Sequence, residues 1–213
     1  MEISIIIPTY QCEKFISRAI RSALDQNYDS ERYEIIVIND GSTDNTDKIL
    51  EGFSDVIRIV NHDSNKGLAS ARNTGLKLAK GQFVINLDAD DYMQEDLLKI
   101  ASLYLQYNSD YDAISFDYII TDEKENHIER RSGAVDYIAC GIMFRKDQLI
   151  DIGLYDESFS SREEEDLRIR FLKKYIITNL KLPLYRYRRH KENLTNNEKL
   201  MQVNKLRLDN KHK

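Results

Sequence analysis

Four short β-rich runs alternate with helical stripes over the first 90 residues, and a chain patterned this way has few folds open to it. Ile3-Ser4-Ile5-Ile6-Ile7 is followed by Phe15, Ile16, Ala19, Ile20, Ala23 and Leu24, a stripe that only a helix gathers on one side. A second strand is predicted over Glu34 to Ile38, a helix carrying Ile49, Leu50 and Phe53, and a third strand over Val56 to Val60. A third helix is predicted over Gly67 to Lys80 with Gly81 as its C-cap, and a fourth strand over Gln82 to Leu87. The order βαβαβαβ implies parallel strands joined by crossover helices, hence an α/β fold with an open, mostly parallel sheet. Beyond residue 91 the pattern loosens. A helix is expected over Glu95 to Tyr107, a strand near Ala113 to Tyr118, and a loop or hairpin over Thr121 to Arg131. A central strand is expected over Ile138 to Phe144, a helix over Glu163 to Lys174, and an extended run over Pro183 to Tyr187.

At 213 residues, with 41% hydrophobic and 31% charged residues, the chain fits one globular domain and neither a disordered nor a collagen-like class. Its apolar runs are far shorter than a membrane span, and Met1-Glu2 enters the first strand without a basic flank, so neither a span nor a signal peptide is expected. Cys12 and Cys140 lie far apart without a Cys-x-x-Cys pair, which argues against a disulfide framework and for a reducing cytoplasm. A net charge of −5 disfavours a nucleic-acid partner. That charge is uneven. From Lys173 onward there are 12 basic residues against 3 acidic ones, leaving the first 172 residues strongly acidic. The basic end carries Leu200, Val203 and Leu206 at three-residue spacing, expected to pack on the core, with peripheral contact to an anionic membrane as the lesser reading.

In an open parallel sheet, ligands collect outside the carboxyl ends of the strands. The segments there are polar: Pro8-Thr9-Tyr10, Asn39-Asp40-Gly41-Ser42, Asn61 to Lys66, and Asp88-Ala89-Asp90-Asp91. Neither a Gly-x-Gly-x-x-Gly nor a P-loop pattern occurs among the eight glycines. The Asp88 to Asp91 cluster suits a hard divalent cation bridging carboxylate and phosphate; the plainer reading is that Asp90 or Asp91 caps the next helix. Lys66 and Arg72, before and within the third helix, suit an anion or are ordinary surface charges. Asp40 suits a base N–H or begins an Asx-type turn. Glu163-Glu164-Glu165-Asp166 opens a helix whose macrodipole favours acids without any catalysis, yet acids crowded in one turn raise one another's pKa toward the range of a general base. His190 is a candidate metal or phosphate ligand, or an ordinary surface histidine.

Ser4 to Tyr10, Glu34 to Asp44, Asn65 to Asn73 and Leu87 to Asp91 resemble, in order and spacing, the family 2 glycosyltransferases with a GT-A fold. The second half is similar at Glu163 to Arg170 and at Pro183 to His190, with Asn193 and Thr195. The resemblance implies one domain over residues 1–213, with a nucleotide-sugar half (1–91), an acceptor and catalytic half (92–190) and a basic helical tail (191–213). It implies an inverting hexosyltransferase-like enzyme that uses a nucleotide sugar, UDP favoured, and Mn²⁺ or Mg²⁺. The acceptor would be a saccharide or lipid-linked hydroxyl in cell-surface polysaccharide or glycolipid synthesis, and the enzyme would work in the cytoplasm or at the inner membrane face. Carried over by position, Pro8, Thr9, Tyr10 and Asp40 hold base and ribose. Lys66, Arg72 and Ala89 lie on the nucleotide side, Asp88 contacts ribose or metal, and Asp90 binds the metal, with His190 a further candidate ligand. Glu164 stands where the family usually has the aspartate that serves as base, with Glu163 and Asp166 as alternatives. A nucleotidyltransferase and a nucleotide-sugar-binding protein without turnover are the competing classes.

Overall fold

The structure, a computed structural model, describes residues 1–213. Strands β1 (Ile3–Thr9), β2 (Tyr33–Asn39), β3 (Arg58–Asn61) and β4 (Phe83–Asn86) alternate with helices α1 (Ile16–Leu24), α2 (Thr46–Glu51) and α3 (Leu68–Leu78), in the expected βαβαβαβ order. β5 (Tyr92–Met93), α4 (Leu97–Tyr107), β6 (Ala113–Thr121), β7 (His127–Arg131) and β8 (Ile142–Arg145) follow. The chain then runs through α5 (Lys146–Asp151), α6 (Glu163–Phe171), β9 (Ile177–Arg188) and α7 (Glu198–Lys211). One sheet of order β3-β2-β1-β4-β8-β6-β9-β5 spans both halves of the chain, with β7 paired to β6.

Side-chain alternation along the strands divides the core. Ile3, Ile5 and Ile7 of β1, Ile35 and Val37 of β2, and Phe83 and Ile85 of β4 point to the face covered by α1, α2 and α4. Ile6, Ile36, Ile38 and Val84, the intervening residues, point to the face covered by α3, α5 and α6. With both faces covered, the parallel strands are nearly continuously apolar, which is why β1 reads as a run of isoleucines. Parallel register pairs Thr9 with Asn39 and Asn39 with Asn61, while Ile6 pairs with Asn86, so these strands end at one edge. That edge receives the polar segments singled out above.

Several boundaries differ from expectation. The third strand starts at Arg58, because Val56 sits exposed in a turn. Gly81 is no helix cap: α3 ends at Ala79 in extended conformation, and Gly81 is needed because a Cβ there would lie 2.6 Å from the backbone of Ile3 and Ser4. Ile142–Arg145 is strand, whereas Ile138 to Cys140 line a cleft. Thr121 to Arg131 is a hairpin whose turn is closed by Asp122 accepting from the backbone N–H groups of Lys124 and Asn126. Asp90 and Asp91 do not cap α4, which begins at Leu97 after Asp96.

The C-terminal stripe is also corrected. Val203 and Leu206 are 58% and 61% exposed. The docked face of α7 instead follows four-residue spacing through half-buried Leu200, buried Asn204 and Leu208, and His212. Asn204 Nδ2 donates to Ser160 Oγ at 3.1 Å, and Lys211 and His212 reach Asp166 at 2.6 and 2.8 Å. No helix is long and apolar enough to cross a membrane.

Asp166 is fully buried and also pairs with Arg170 at 2.8 Å; hydrogen bonds from Lys211, His212 and Arg170 outweigh its burial and hold its carboxyl below the usual range. Breaking such a buried pair costs about 3–5 kcal/mol. Asp166→Asn is therefore expected to lower stability in urea unfolding by roughly that amount and to increase proteolysis of α7; an unchanged midpoint would contradict this role.

Candidate active site

A cleft of about 580 Å³ opens at the strand-end edge, between the loops after β1, β2 and β4 on one side and the start of α6 with the segment after β9 on the other. Pro8, Thr9, Tyr10, Asp40, Arg72, Asp88, Ala89, Asp90, Glu163, Glu164 and His190 all line it, residues up to 182 positions apart in sequence.

On the nucleotide side, Asp40 is buried and already engaged. Its Oδ1 accepts from the Lys66 backbone N–H at 2.9 Å and meets His62 Nδ1 at 2.6 Å, and its Oδ2 accepts from the Gly67 N–H at 2.8 Å. The carboxylate thus fastens the start of α3 to the end of β2, more than the Asx-turn reading offers. Gly41 follows with φ +72°, and a Cβ there would lie 2.6 Å from Ser64 backbone. Lys66 itself does not line the cleft: its side chain is exposed and only its backbone N–H enters the site network.

Arg72 is 1% exposed, so it is no surface charge and its guanidinium is turned to protein carboxylates. Nη2 donates to Asp88 Oδ1 at 2.8 Å and Nη1 to Glu163 Oε1 at 2.5 Å, and the cation lies 5.4 Å from the Tyr155 ring centroid. This ties the end of β4 to the first turn of α6. Glu163, so engaged, is not free to take a proton from a substrate.

Of the four acids opening α6, one is uncommitted. Glu163 pairs with Arg72, Glu165 with Arg162, and Asp166 with Arg170, Lys211 and His212. Asp166 lies outside the cleft, in the α7 contact, which removes it from the position expected of a base. Glu164 lines the cleft with no salt bridge and no hydrogen bond from another residue to its carboxylate; burial, reinforced by the Glu163 charge and opposed by Arg72 and its own backbone N–H, pushes its pKa up to about 7.

The three aspartates after β4 divide their work. Asp91 is buried, accepting from Tyr185 Oη at 2.9 Å and from the Arg188 N–H at 2.8 Å; burial and the charges of Asp90 and Asp88 raise its pKa well above the usual range. Asp90 is partly exposed to the cleft. Its Oδ2 meets His190 Nε2 at 2.8 Å and Asn193 Nδ2 at 3.1 Å, leaving Oδ1 without a protein partner. Glu192 N–H donates to His190 Nδ1 at 3.2 Å, so the proton sits on Nε2 and His190 orients Asp90. This arrangement makes His190 a supporting group of the carboxylate instead of the ligand the sequence suggested.

No three acidic, histidine or cysteine side chains converge as a ready-made metal cage. Mg²⁺ and Mn²⁺ do not require one, because they are held by one or two carboxylates together with substrate phosphates and water. Asp90, with a free oxygen, and Asp88, with only Oδ1 paired, fit that pattern. Thr9 Oγ1, Arg72 Nε and Ser161 Oγ, all buried in cleft-lining residues, lack protein partners. An unpaired buried polar group costs about 1–3 kcal/mol, so these three atoms offer unfilled hydrogen-bonding capacity along the cleft. Ser161 and Cys140 carried no signal for this cleft in the sequence, and neither did Tyr155, which lies behind it against Arg72.

An open α/β sheet with a carboxylate-lined cleft at its strand ends is the GT-A architecture, and comparison with known proteins places the chain in a family of that fold. The model of Glycosyl transferase family 2 matches residues 4–167, and the chain belongs to that family. The glucosyltransferase WfaP of Escherichia coli, named for UDP-Glc and α-D-GlcNAc-diphosphoundecaprenol, is 34% identical over 175 residues, covering 77% of this chain and 66% of its own. An uncharacterised glycosyltransferase of Mycoplasma genitalium is 39% identical over 55% of this chain and 41% of its own. This chain thus matches less than half of that relative's length. Solved structures share the fold. Staphylococcus aureus TarS 1-349 with UDP-GlcNAc has a TM-score of 0.79 at 22% identity, covering 95% of this chain and 65% of that one. The mannosyltransferase PcManGT of Pyrobaculum calidifontis with GDP-Man and Mn²⁺ has a TM-score of 0.73 at 18% identity, covering 90% and 58%.

Arg72→Met is expected to strand Asp88 and Glu163 and to destabilise the protein by about 3–5 kcal/mol. Adding Glu163→Met should recover part of that loss, since the two residues share one interaction. Strictly additive losses in denaturant unfolding would rule out the coupling.

Proposed function

We propose that the chain transfers a sugar from a nucleoside diphosphate donor, UDP favoured, to a hydroxyl of a saccharide or lipid-linked acceptor, with inversion. The observation that carries this reading is the pairing, across one cleft, of uncommitted Glu164 with the partly exposed Asp90. Residues 1–91 form the donor half, 92–190 the acceptor and catalytic half, and 191–213 the basic helical tail. Pro8, Thr9, Tyr10 and Asp40 border the base and ribose, with Ala89 and Asp88 beside them. The relatives' printed donors, UDP-Glc for WfaP and UDP-GlcNAc bound to TarS, support a UDP sugar, and WfaP's diphosphoundecaprenol substrate supports work at the cytoplasmic face of a membrane.

Glu164 accepts the acceptor's hydroxyl proton as the acceptor oxygen forms its bond to the anomeric carbon. The bond from that carbon to the diphosphate breaks on the opposite face, so one displacement inverts the centre and releases the nucleoside diphosphate. A carboxyl with pKa near 7 is a stronger base than an ordinary glutamate, about half ionised at neutral pH and largely ionised only above it. Asp90, steadied by His190 and Asn193, and Asp88, steadied by Arg72, would hold Mn²⁺ or Mg²⁺. When bound, the ion supplies Lewis acidity that neutralises the departing diphosphate.

Glu164→Gln, nearly isosteric, is expected to lower kcat about 10²- to 10⁴-fold while leaving UDP affinity nearly unchanged, because the base acts only on the acceptor. Normal turnover of this variant would remove Glu164 from the reaction. For the metal, calorimetry should find UDP bound about tenfold or more tightly with Mn²⁺ than with chelator, and Asp90→Ala should erase the difference. Equal affinities in the unmodified protein would exclude the bridging cation.

A further inference from the structure

We infer that a second, open pocket beside the cleft is an acceptor subsite for a phosphate-bearing saccharide; the inference rests on the glycosyltransferase reading and deepens it. The pocket, of about 890 Å³, lies between the β6–β7 turn and the segment after β9. It shares Ile138, Tyr187, His190, Asn193 and Thr195 with the cleft, so a ligand seated there abuts the reacting centre without occupying the donor's place.

Its lining combines an aromatic wall with free positive charge. The rings of Tyr118 and Tyr187 meet edge to face, with centroids 6.2 Å apart, a surface suited to the C–H face of a sugar. Around it stand Lys124, Arg189 and Lys191, all exposed. Neighbouring cations are spoken for: Arg18 and Arg188 pair with Glu125, and Lys14 pairs with Glu192. The three pocket cations have no carboxylate within salt-bridge distance. Two acids also line it, Asp122, whose oxygens accept from the N–H groups of Lys124 and Asn126 and from the Asn126 amide, and Glu123, so three cations face two acids and leave one positive charge in excess. The backbone of Arg189 is pinned by its N–H to Thr121 oxygen at 2.8 Å, so its side chain projects from a fixed point.

Three unpaired cations on an acidic protein, next to a sugar-sized aromatic wall, match a saccharide whose neighbouring group is a phosphate. The donor's own diphosphate belongs opposite Asp90 in the cleft, so this charge serves the other substrate. Both a lipid-linked sugar diphosphate and a polyol phosphate chain present that chemistry.

Calorimetry on the full chain saturated with UDP and Mn²⁺ tests it, using N-acetylglucosamine, its 1-phosphate, a sugar diphosphate on a short prenyl chain, and a glycerol phosphate oligomer. At least one phosphorylated ligand should bind about tenfold or more tightly than the neutral sugar, with the preference weakening as salt rises. Preference for the prenyl diphosphate assigns the lipid-linked source, and preference for the oligomer assigns the polyol source. The triple variant Lys124→Gln, Arg189→Gln, Lys191→Gln should lose the preference and keep UDP affinity. Equal binding of neutral and phosphorylated ligands, competition by UDP, or a preference that survives the triple variant would overturn the inference. UDP titrated alone reads the donor cleft separately, so failure of the acceptor subsite is distinguishable from failure of the enzyme assignment.

Discussion

The buried guanidinium of Arg72 holds the two sides of the cleft together. It is paired with Asp88 at the end of β4 and with Glu163 at the start of α6, residues from opposite halves of the chain. A charge this deep is tolerated only because two carboxyl groups lie within hydrogen-bond reach, which makes the triad costly to break. Its geometry also supports Glu164 as the acid proposed for chemistry. With Glu163 turned onto Arg72, the next residue on the helix, about 100° further round, faces the cleft.

Around this triad, the loops after the strands are fastened from beneath by carboxylates. Asp40 clamps the start of α3 through two backbone N–H groups, and Asp91 clamps the β4 loop to β9 through Tyr185 and Arg188. The residues proposed to act on substrate lie beside these anchors. Asp90 and Glu164 are each adjacent to a side chain committed to structure. Fixing the neighbour presents the free carboxylate without requiring the loop to order on binding. The C-terminal helix extends the same logic, since its contact with Asp166 and the Arg162–Met201 bond brace the turn from which Glu164 projects.

Much of the first half was legible because local rules and tertiary demands coincide there. Isoleucine runs make buried parallel strands, turn residues follow them, and the crossover rule then brings Tyr10, Asp40 and Asp88 to one edge. The second half was less legible because its elements are defined by partners distant in sequence. Ile138 to Cys140 read as strand since apolar residues line a cleft as well as a core. The α7 stripe was misread because its docked face includes Asn204, a polar residue buried by pairing with Ser160. Four consecutive acids could not be ranked from sequence. Their roles depend on Arg72, Arg162, Arg170, Lys211 and His212, and only the first three stand near a recognisable motif. The pairing of Arg72 with Glu163, 91 residues apart, left no local trace.

Burial and the neighbouring Glu163 raise the Glu164 carboxyl into the neutral range, where a base is most useful. Carbon-13 NMR titration of the Glu164 carboxyl measures this without substrate. A midpoint near 7 is expected, with the carboxylate form gained as pH rises through that value. In Glu163→Gln the midpoint should move down, because one repulsive charge is gone and Arg72 remains. A midpoint in the ordinary glutamate range near 4, or one unmoved by Glu163→Gln, would contradict the account.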